Sequence, residues 1–349
     1  MRRKSSRVCQ PTRESANVAH PRNRSGESSV KAAVYYENGA PQVLRYEDVA
    51  DPVCDENGIV IDVKAVSIEG GDVLNRAGGA LVTKPHIVGY QAGGVVREVG
   101  ANVTTFKVGD LAVTVGAFGS HAARRAVPEI TAWRVPAGLD ITLAACVPIP
   151  FGTADDCLFE FGRLKKGETV LIQGGAGGVG LAAIQLAKRA GARVFATASS
   201  DAKLDRLRDF GMDEGINYAK DDLVAAVKRA TDNRGVNLVV DPVGGDVLAQ
   251  SLQIIGYRGR VVTVGNASRG VRNYDVSSLA GQNQSITGVF LGAEITTPRV
   301  RKMIEGHLQD LASGSLEMVI DRQFALRDAA AAHAYIESRG AFGRVILIP

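Results

Sequence analysis

Few folds can accommodate the run Val170-Leu-Ile-Gln-Gly174-Gly175-Ala176-Gly177-Gly178-Val179-Gly180. Residues 170–172 read as a short buried strand, which breaks into glycines and reopens as a helix. Val179, Ala182, Ala183, Leu186 and Ala190 recur at helical spacing, Lys188 and Arg189 suit the negative helix end, and Gly191 supplies a left-handed stop. Gly175, Gly177 and Gly180 spell G-x-G-x-x-G between strand and helix. That pattern gives a tight turn, close backbone approach to a pyrophosphate, and unpaired N–H groups at the helix start to hold the anion. No Gly-Lys-Ser/Thr follows, which excludes the other glycine-rich phosphate loop. Residues 174–180 are therefore the expected dinucleotide cradle.

The coenzyme's form is read at the end of the next strand, 193–198. A carboxylate about 20 residues past the glycines would grip a ribose 2′-hydroxyl. Here the sequence runs Ala198-Ser199-Ser200-Asp201-Ala202-Lys203. Two hydroxyls and a lysine favour a 2′-phosphate, so NADP(H) is expected over NAD(H). Two alternatives stay open: Asp201 reaching the ribose, and 199–201 being an ordinary helix cap.

At 349 residues the chain suits two domains. Its net charge of +4 is concentrated at the amino terminus, where residues 1–29 hold seven Lys or Arg against two Glu. The remainder is near neutral, so no global basic field points to nucleic acid. Residues 1–29 are rich in Arg, Ser, Asn and Pro and are expected to be disordered. A transit peptide shares that composition but needs an apolar helical face, and residues added by an upstream start would look the same. No run of 18 apolar residues predicts a membrane span. Cys9, Cys54, Cys146 and Cys157 are scattered, which argues against a disulfide framework or structural zinc and for a reducing, cytoplasmic setting.

From residue 30 to about 150, short alternating strands (31–36, 58–66, 94–99, 110–115) with glycine turns predict a β-rich, barrel-like domain. From 151 to 291, strands at 169–173, 193–197, 236–241, 260–265 and 286–290 alternate with helices near 178–190, 201–210, 221–231 and 246–255. That alternation predicts a doubly wound parallel sheet, a Rossmann domain. The tail, 292–349, holds a helix at 298–312 and a last strand at 343–348 that rejoins the first domain.

With these elements in place, the chain resembles the medium-chain dehydrogenase/reductase superfamily, in particular its zinc-less quinone oxidoreductases of the zeta-crystallin type. The resemblance runs from about 30 to 349. It is carried by Ser67-Ile-Glu-Gly-Gly-Asp-Val-Leu-Asn-Arg-Ala-Gly78, Pro85-His-Ile-Val-Gly-Tyr90-Gln91-Ala-Gly-Gly-Val-Val96, Val108-Gly-Asp110, Gly119-Ser-His-Ala122, the glycine loop, Ile216-Asn-Tyr218, Asp241-Pro-Val-Gly-Gly245 and Glu337-Ser-Arg339. It implies an α/β chain with a GroES-like catalytic domain, NADPH in the interdomain cleft, and a homodimer joined through the nucleotide domains.

Zinc-dependent relatives place a Cys where Glu69 stands and a His-Glu pair where Tyr90-Gln91 stands. Zinc needs three protein ligands and an open position, so no metal is expected. Without a Lewis acid, hydride suits quinones or α,β-unsaturated carbonyls, whose oxygen takes up the arriving charge. The resemblance also reveals departures, since quinone reductases carry Asn at Glu69 and Tyr at Leu74. Glu69 and Tyr90 are the candidate proton donors; the alternatives are that Glu69 pairs with Arg76 and that Tyr90 packs under the nicotinamide. By position in the family, Lys203, Tyr218 and Arg339 line the 2′-phosphate pocket and Thr153 touches the nicotinamide side. Gly265, Asn266, Val289 and Phe290 end strands of the parallel sheet, the edge where ligands sit. His86, His121, His307 and His333 receive no role. The competing functions are a zinc-less alcohol dehydrogenase, an enoyl-thioester reductase, and a non-catalytic NADPH-binding sensor or RNA-binding protein.

Overall fold

The computed structural model describes residues 29–270 and 274–349. The amino-terminal extension lies outside the described residues, apart from Ser29, which opens the first strand, Ser29–Val34.

Two sheets organise the chain. The first has six parallel strands in the spatial order Glu214–Asn217, Arg193–Ala198, Thr169–Ile172, Val236–Asp241, Ile255–Thr263, Ser285–Gly288. Chain order reverses direction at Thr169–Ile172, so the glycine loop leaves the sheet at its switch point, the place where open α/β sheets bind ligands. The central strands are buried on both faces, which is why they read as unbroken apolar runs such as Val170, Leu171 and Ile172.

The second sheet has seven strands, built around Gly58–Ser67 and Gln91–Val99. It also takes in the last strand, Arg344–Ile348, which pairs antiparallel with Gly58–Ser67 (Ile346 opposite Ser67) and parallel with the edge strand Ile320–Ala325. This return of the carboxyl terminus carries residue 344 to within contact of residue 69.

One apolar core spans both units, joining Val113 and Trp133 to Val170, Leu181, Phe342 and Ile346. The helix Pro298–Ala312 buries Val300, Ile304, Leu308 and Leu311 in that same core. Several elements outrun the sequence expectations. The strand Glu214–Asn217 and the helices Gly70–Gly78, Pro148–Asp155 and Ala329–Glu337 have no counterpart among the predicted elements. Each is short, and the first helix begins with two glycines, the poorest helix formers after proline. Tertiary packing overrides local preference there.

Candidate active site

The glycine loop has the form its spacing predicts. Gly174 sits at φ +65°, a backbone that excludes ordinary side chains, and a Cβ on Gly180 would collide with the Gly174 carbonyl. Gly175 packs where a Cβ would lie 3.0 Å from the Ala196 methyl. The helix Gly178–Arg189 is capped by Gly177, which offers no side-chain acceptor. The N–H groups of Gly178, Val179 and Gly180 therefore have no intrahelical partner. That cradle fits a pyrophosphate.

Around the end of Arg193–Ala198, Ser200 Oγ accepts from the Lys203 N–H at 3.3 Å, so the helix-cap reading of this serine is correct as far as it goes. Asp201 accepts from Asn217 Nδ2 at 2.6 Å and from Lys220 Nζ at 2.5 Å. Lys203 Nζ donates to the carbonyls of Arg339 and Ala341, both at 2.8 Å, which fastens the carboxyl-terminal segment here and leaves one N–H. Tyr218 follows, its N–H bonded to the Ala198 carbonyl and the residue 45% exposed. Arg339 is exposed at φ +58°, with no ion pair among the described residues. Ser199, Ser200, Lys203, Tyr218 and Arg339 thus gather at one strand end. Gly265 and Asn266 follow Ile255–Thr263, and Val289, whose N–H bonds Thr263 O at 2.9 Å, precedes the 71% exposed Phe290.

The opposite wall is built from side chains. Glu69 caps the helix Gly70–Gly78 and is 5% exposed. Its expected partner Arg76 is engaged elsewhere, with Glu337 at 2.5 Å. Arg344 takes that place: its Nη2 donates to Glu69 Oε1, to Ser67 Oγ at 2.7 Å and to the Ile68 carbonyl at 2.6 Å. Gln91 Nε2 reaches the same Oε1 at 2.5 Å, while Gln91 Oε1 accepts from Ile149 N–H at 3.0 Å. Through Ile149 this wall meets the helix Pro148–Asp155, which carries the buried Thr153. Asp72 receives the backbone N–H groups of Glu69 (2.9 Å) and Tyr90 (3.1 Å).

Burial governs the electrostatics. Desolvation raises the Glu69 carboxyl to about 7 despite Arg344 and Gln91, and raises Asp72 to about 8. Tyr90, half-buried and bonded through its hydroxyl to Asn75 Nδ2 at 2.9 Å, is also shifted upward by burial. Cys146 lies beside the same group, its thiol raised by burial and modified by Arg344, Ser67 and Glu69.

Zinc does not fit this wall. Among the described residues no cluster of three His, Cys, Asp or Glu side chains converges, and Glu69 Oε1 is taken by two donors. Sequence reasoning gave no role to Arg344 or Asp72 and treated Gln91 only as a missing ligand. A lone arginine heading the apolar run Val345–Leu347 is the one signal that could have exposed the first. His121 and His333, left without a pattern, meet at 3.0 Å between ring nitrogens, and His307 pairs with Asp155 at 3.1 Å.

Residues 55–137 match the family described as alcohol dehydrogenase GroES-like domain, and 178–306 the one described as zinc-binding dehydrogenase. A quinone oxidoreductase of Pseudomonas aeruginosa is 32% identical over 317 residues, covering 89% of this chain and 97% of the relative. Quinone oxidoreductase from Pseudomonas syringae superposes with a TM-score of 0.88 at 31% identity, over 92% of this chain and all of that one. Escherichia coli quinone oxidoreductase complexed with NADPH gives 0.87 at 29% identity, over 91% and 100%. With the GroES-like and Rossmann units meeting at this cleft, the chain belongs to the zeta-crystallin-like quinone oxidoreductase group of the medium-chain dehydrogenase/reductase superfamily.

Proposed function

We propose that the chain is a zinc-independent reductase that binds NADPH in this cleft and delivers hydride to quinones or α,β-unsaturated carbonyls. The observation that carries the reading is Arg344, which bonds a buried, near-neutral-titrating carboxyl on one side and lies against the start of the glycine helix on the other. Bound NADPH supplies the hydride. The N–H groups of Gly178, Val179 and Gly180 hold the pyrophosphate, and Arg339 with Ser199, Ser200, Tyr218 and the spare N–H of Lys203 receives the 2′-phosphate. The NADPH complex of the Escherichia coli relative supports that choice of coenzyme. Thr153, Gly265, Asn266, Val289 and Phe290 line the nicotinamide end.

Glu69 is the proton donor. Two donors occupy Oε1, so the acidic proton belongs on Oε2, where it can pass to the acceptor's oxygen as charge develops. Tyr90 is the second candidate, its hydroxyl already accepting from Asn75. The domain boundaries of the reading are 30–150 with 292–349 for catalysis, and 151–291 for the coenzyme. The edge strand Ser285–Gly288, paired on one side only, is where two copies would join in a homodimer. Among the described residues no helix is long and apolar enough to cross a membrane, and Cys54, Cys146 and Cys157 are free thiols, in keeping with a reducing cytoplasm.

An absorbance screen of NADPH and NADH oxidation tests the reading. The expected result is turnover of 9,10-phenanthrenequinone or a short enone, with NADPH preferred and no effect of a chelator. Turnover confined to crotonyl thioesters or to alcohols would move the chain to another branch of the superfamily. NADPH binding without any turnover would make it a sensor.

A further inference from the structure

Arg344 touches both walls of the cleft at once. The nitrogens facing the catalytic side, Nε and Nη2, serve Ser67, Ile68 and Glu69. The remaining nitrogen, Nη1, lies against Gly178, the first residue of the glycine helix, where a Cβ would collide with it. Beside it, Gly343 N–H donates to the Ala176 carbonyl at 2.8 Å, which pins the head of the last strand to the loop itself. The guanidinium is 5% exposed and cannot swing away without breaking this set. A large residue at 178 is incompatible with this arrangement, so the glycine there admits the arginine as well as a ligand.

We propose that Arg344 is a positioning residue that couples occupation of the glycine loop by a dinucleotide to protonation of Glu69, so that the acid is loaded when the coenzyme arrives. The proposal rests on the functional reading above. An anion at the helix start draws on Nη1 and brings negative charge toward Glu69, and both effects favour the neutral carboxyl. The other groups facing Glu69 are Asp72 on its own helix, Tyr90 and Gln91 at the adjoining strand, and Cys146, besides Arg344 itself. Among the described residues no hydrogen bond or ion pair joins any of these to the loop. The proton comes from solvent and no bond other than O–H is made.

With Glu69 titrating at about 7 in the free protein, close to half the molecules can gain a proton at neutral pH. Calorimetric titration with NADPH, repeated in buffers of different ionisation enthalpy at about pH 7, counts the protons exchanged. The 2′-phosphate, whose second pKa is about 6, adds its own exchange on binding, but equally in wild type and in Glu69→Gln. The difference between those two proteins isolates Glu69. Wild type is expected to take up about half a proton per site more than Glu69→Gln. Arg344→Met should behave like Glu69→Gln, because without the cation Glu69 is already neutral. Arg344→Lys, which keeps charge but cannot span both walls, should retain only part of the difference. Equal proton counts in wild type and Glu69→Gln would overturn the proposal even if Arg344→Met fails to fold. No NADPH binding by wild type would instead overturn the functional reading.

Discussion

The glycine wall of the cleft works with backbone, from residues contiguous between 174 and 180, whereas the Glu69 wall works with side chains drawn from positions as far as 277 residues apart. In the proposed function the first holds an anion with N–H groups whose direction the helix fixes, and it costs little to desolvate. The second buries a carboxyl, an arginine and a second carboxyl, which is expensive unless each finds a partner. Glu69 and Asp72 do find partners, yet both titrate far above the usual carboxylate range. A wall that binds can be cheap; a wall that moves protons has to hold its groups near the pH at which it works.

If that contrast is right, pH should act on one wall only. The Glu69 carboxyl is raised in the folded chain from 4.5 to about 7, so the native state binds more protons than the unfolded one in that interval. Stability must therefore fall as pH rises through the window, by about 3 kcal/mol from this group. Chemical denaturation of wild type and Glu69→Gln across the window should separate the curves by that amount; parallel curves would remove the raised carboxyl. Gly180→Val strikes the other wall. Its side chain meets the Gly174 carbonyl, and the expected cost is about 1–3 kcal/mol in thermal unfolding, with loss of NADPH-induced fluorescence change. Normal binding by this variant would deny the loop its role.

Arg339→Ala sharpens the description of the coenzyme wall. Removing a free guanidinium from a 2′-phosphate should weaken NADPH by about 10- to 100-fold while sparing NADH, measured by fluorescence titration. Lys203→Ala should hurt both coenzymes, since this lysine also ties down the carbonyls of residues 339 and 341. The smallest effect is expected for Ser200→Ala, about 1 kcal/mol of stability from a lost cap and a loss of NADPH affinity smaller than that of Arg339→Ala. A large change in NADPH affinity there would give the serine a greater part in phosphate binding than its hydrogen bond suggests.

The same contrast explains what could be read before any coordinates. The Rossmann half was legible because its signals are local: Thr169–Ile172, the glycines and the helix Gly178–Arg189 are consecutive, and the helix at 298–312 was predicted at its observed bounds. Around Asp201 two alternatives stay open from sequence; the structure shows the cap bond at Ser200 and binds Asp201 to Asn217 and Lys220. Glu69 could be singled out as a polar residue in a marked loop, but its partner could not. Arg76 lies seven positions along the same short stretch and is the natural guess; the antiparallel pairing of Ser67 with Ile346 delivers Arg344 instead. Local sequence carries no trace of that register. The buried pair His121 and His333 was invisible for the same reason.

The most direct test is the pH profile of NADPH oxidation with 9,10-phenanthrenequinone, run on wild type and Glu69→Gln after treatment with a chelator. The account predicts a wild-type kcat/KM for NADPH that declines as pH rises past about 7, where Glu69 of the free protein loses its proton, indifferent to the chelator, and a slower variant with that limb missing. A rate abolished by the chelator and restored by zinc, or the same descending limb in both proteins, would contradict it.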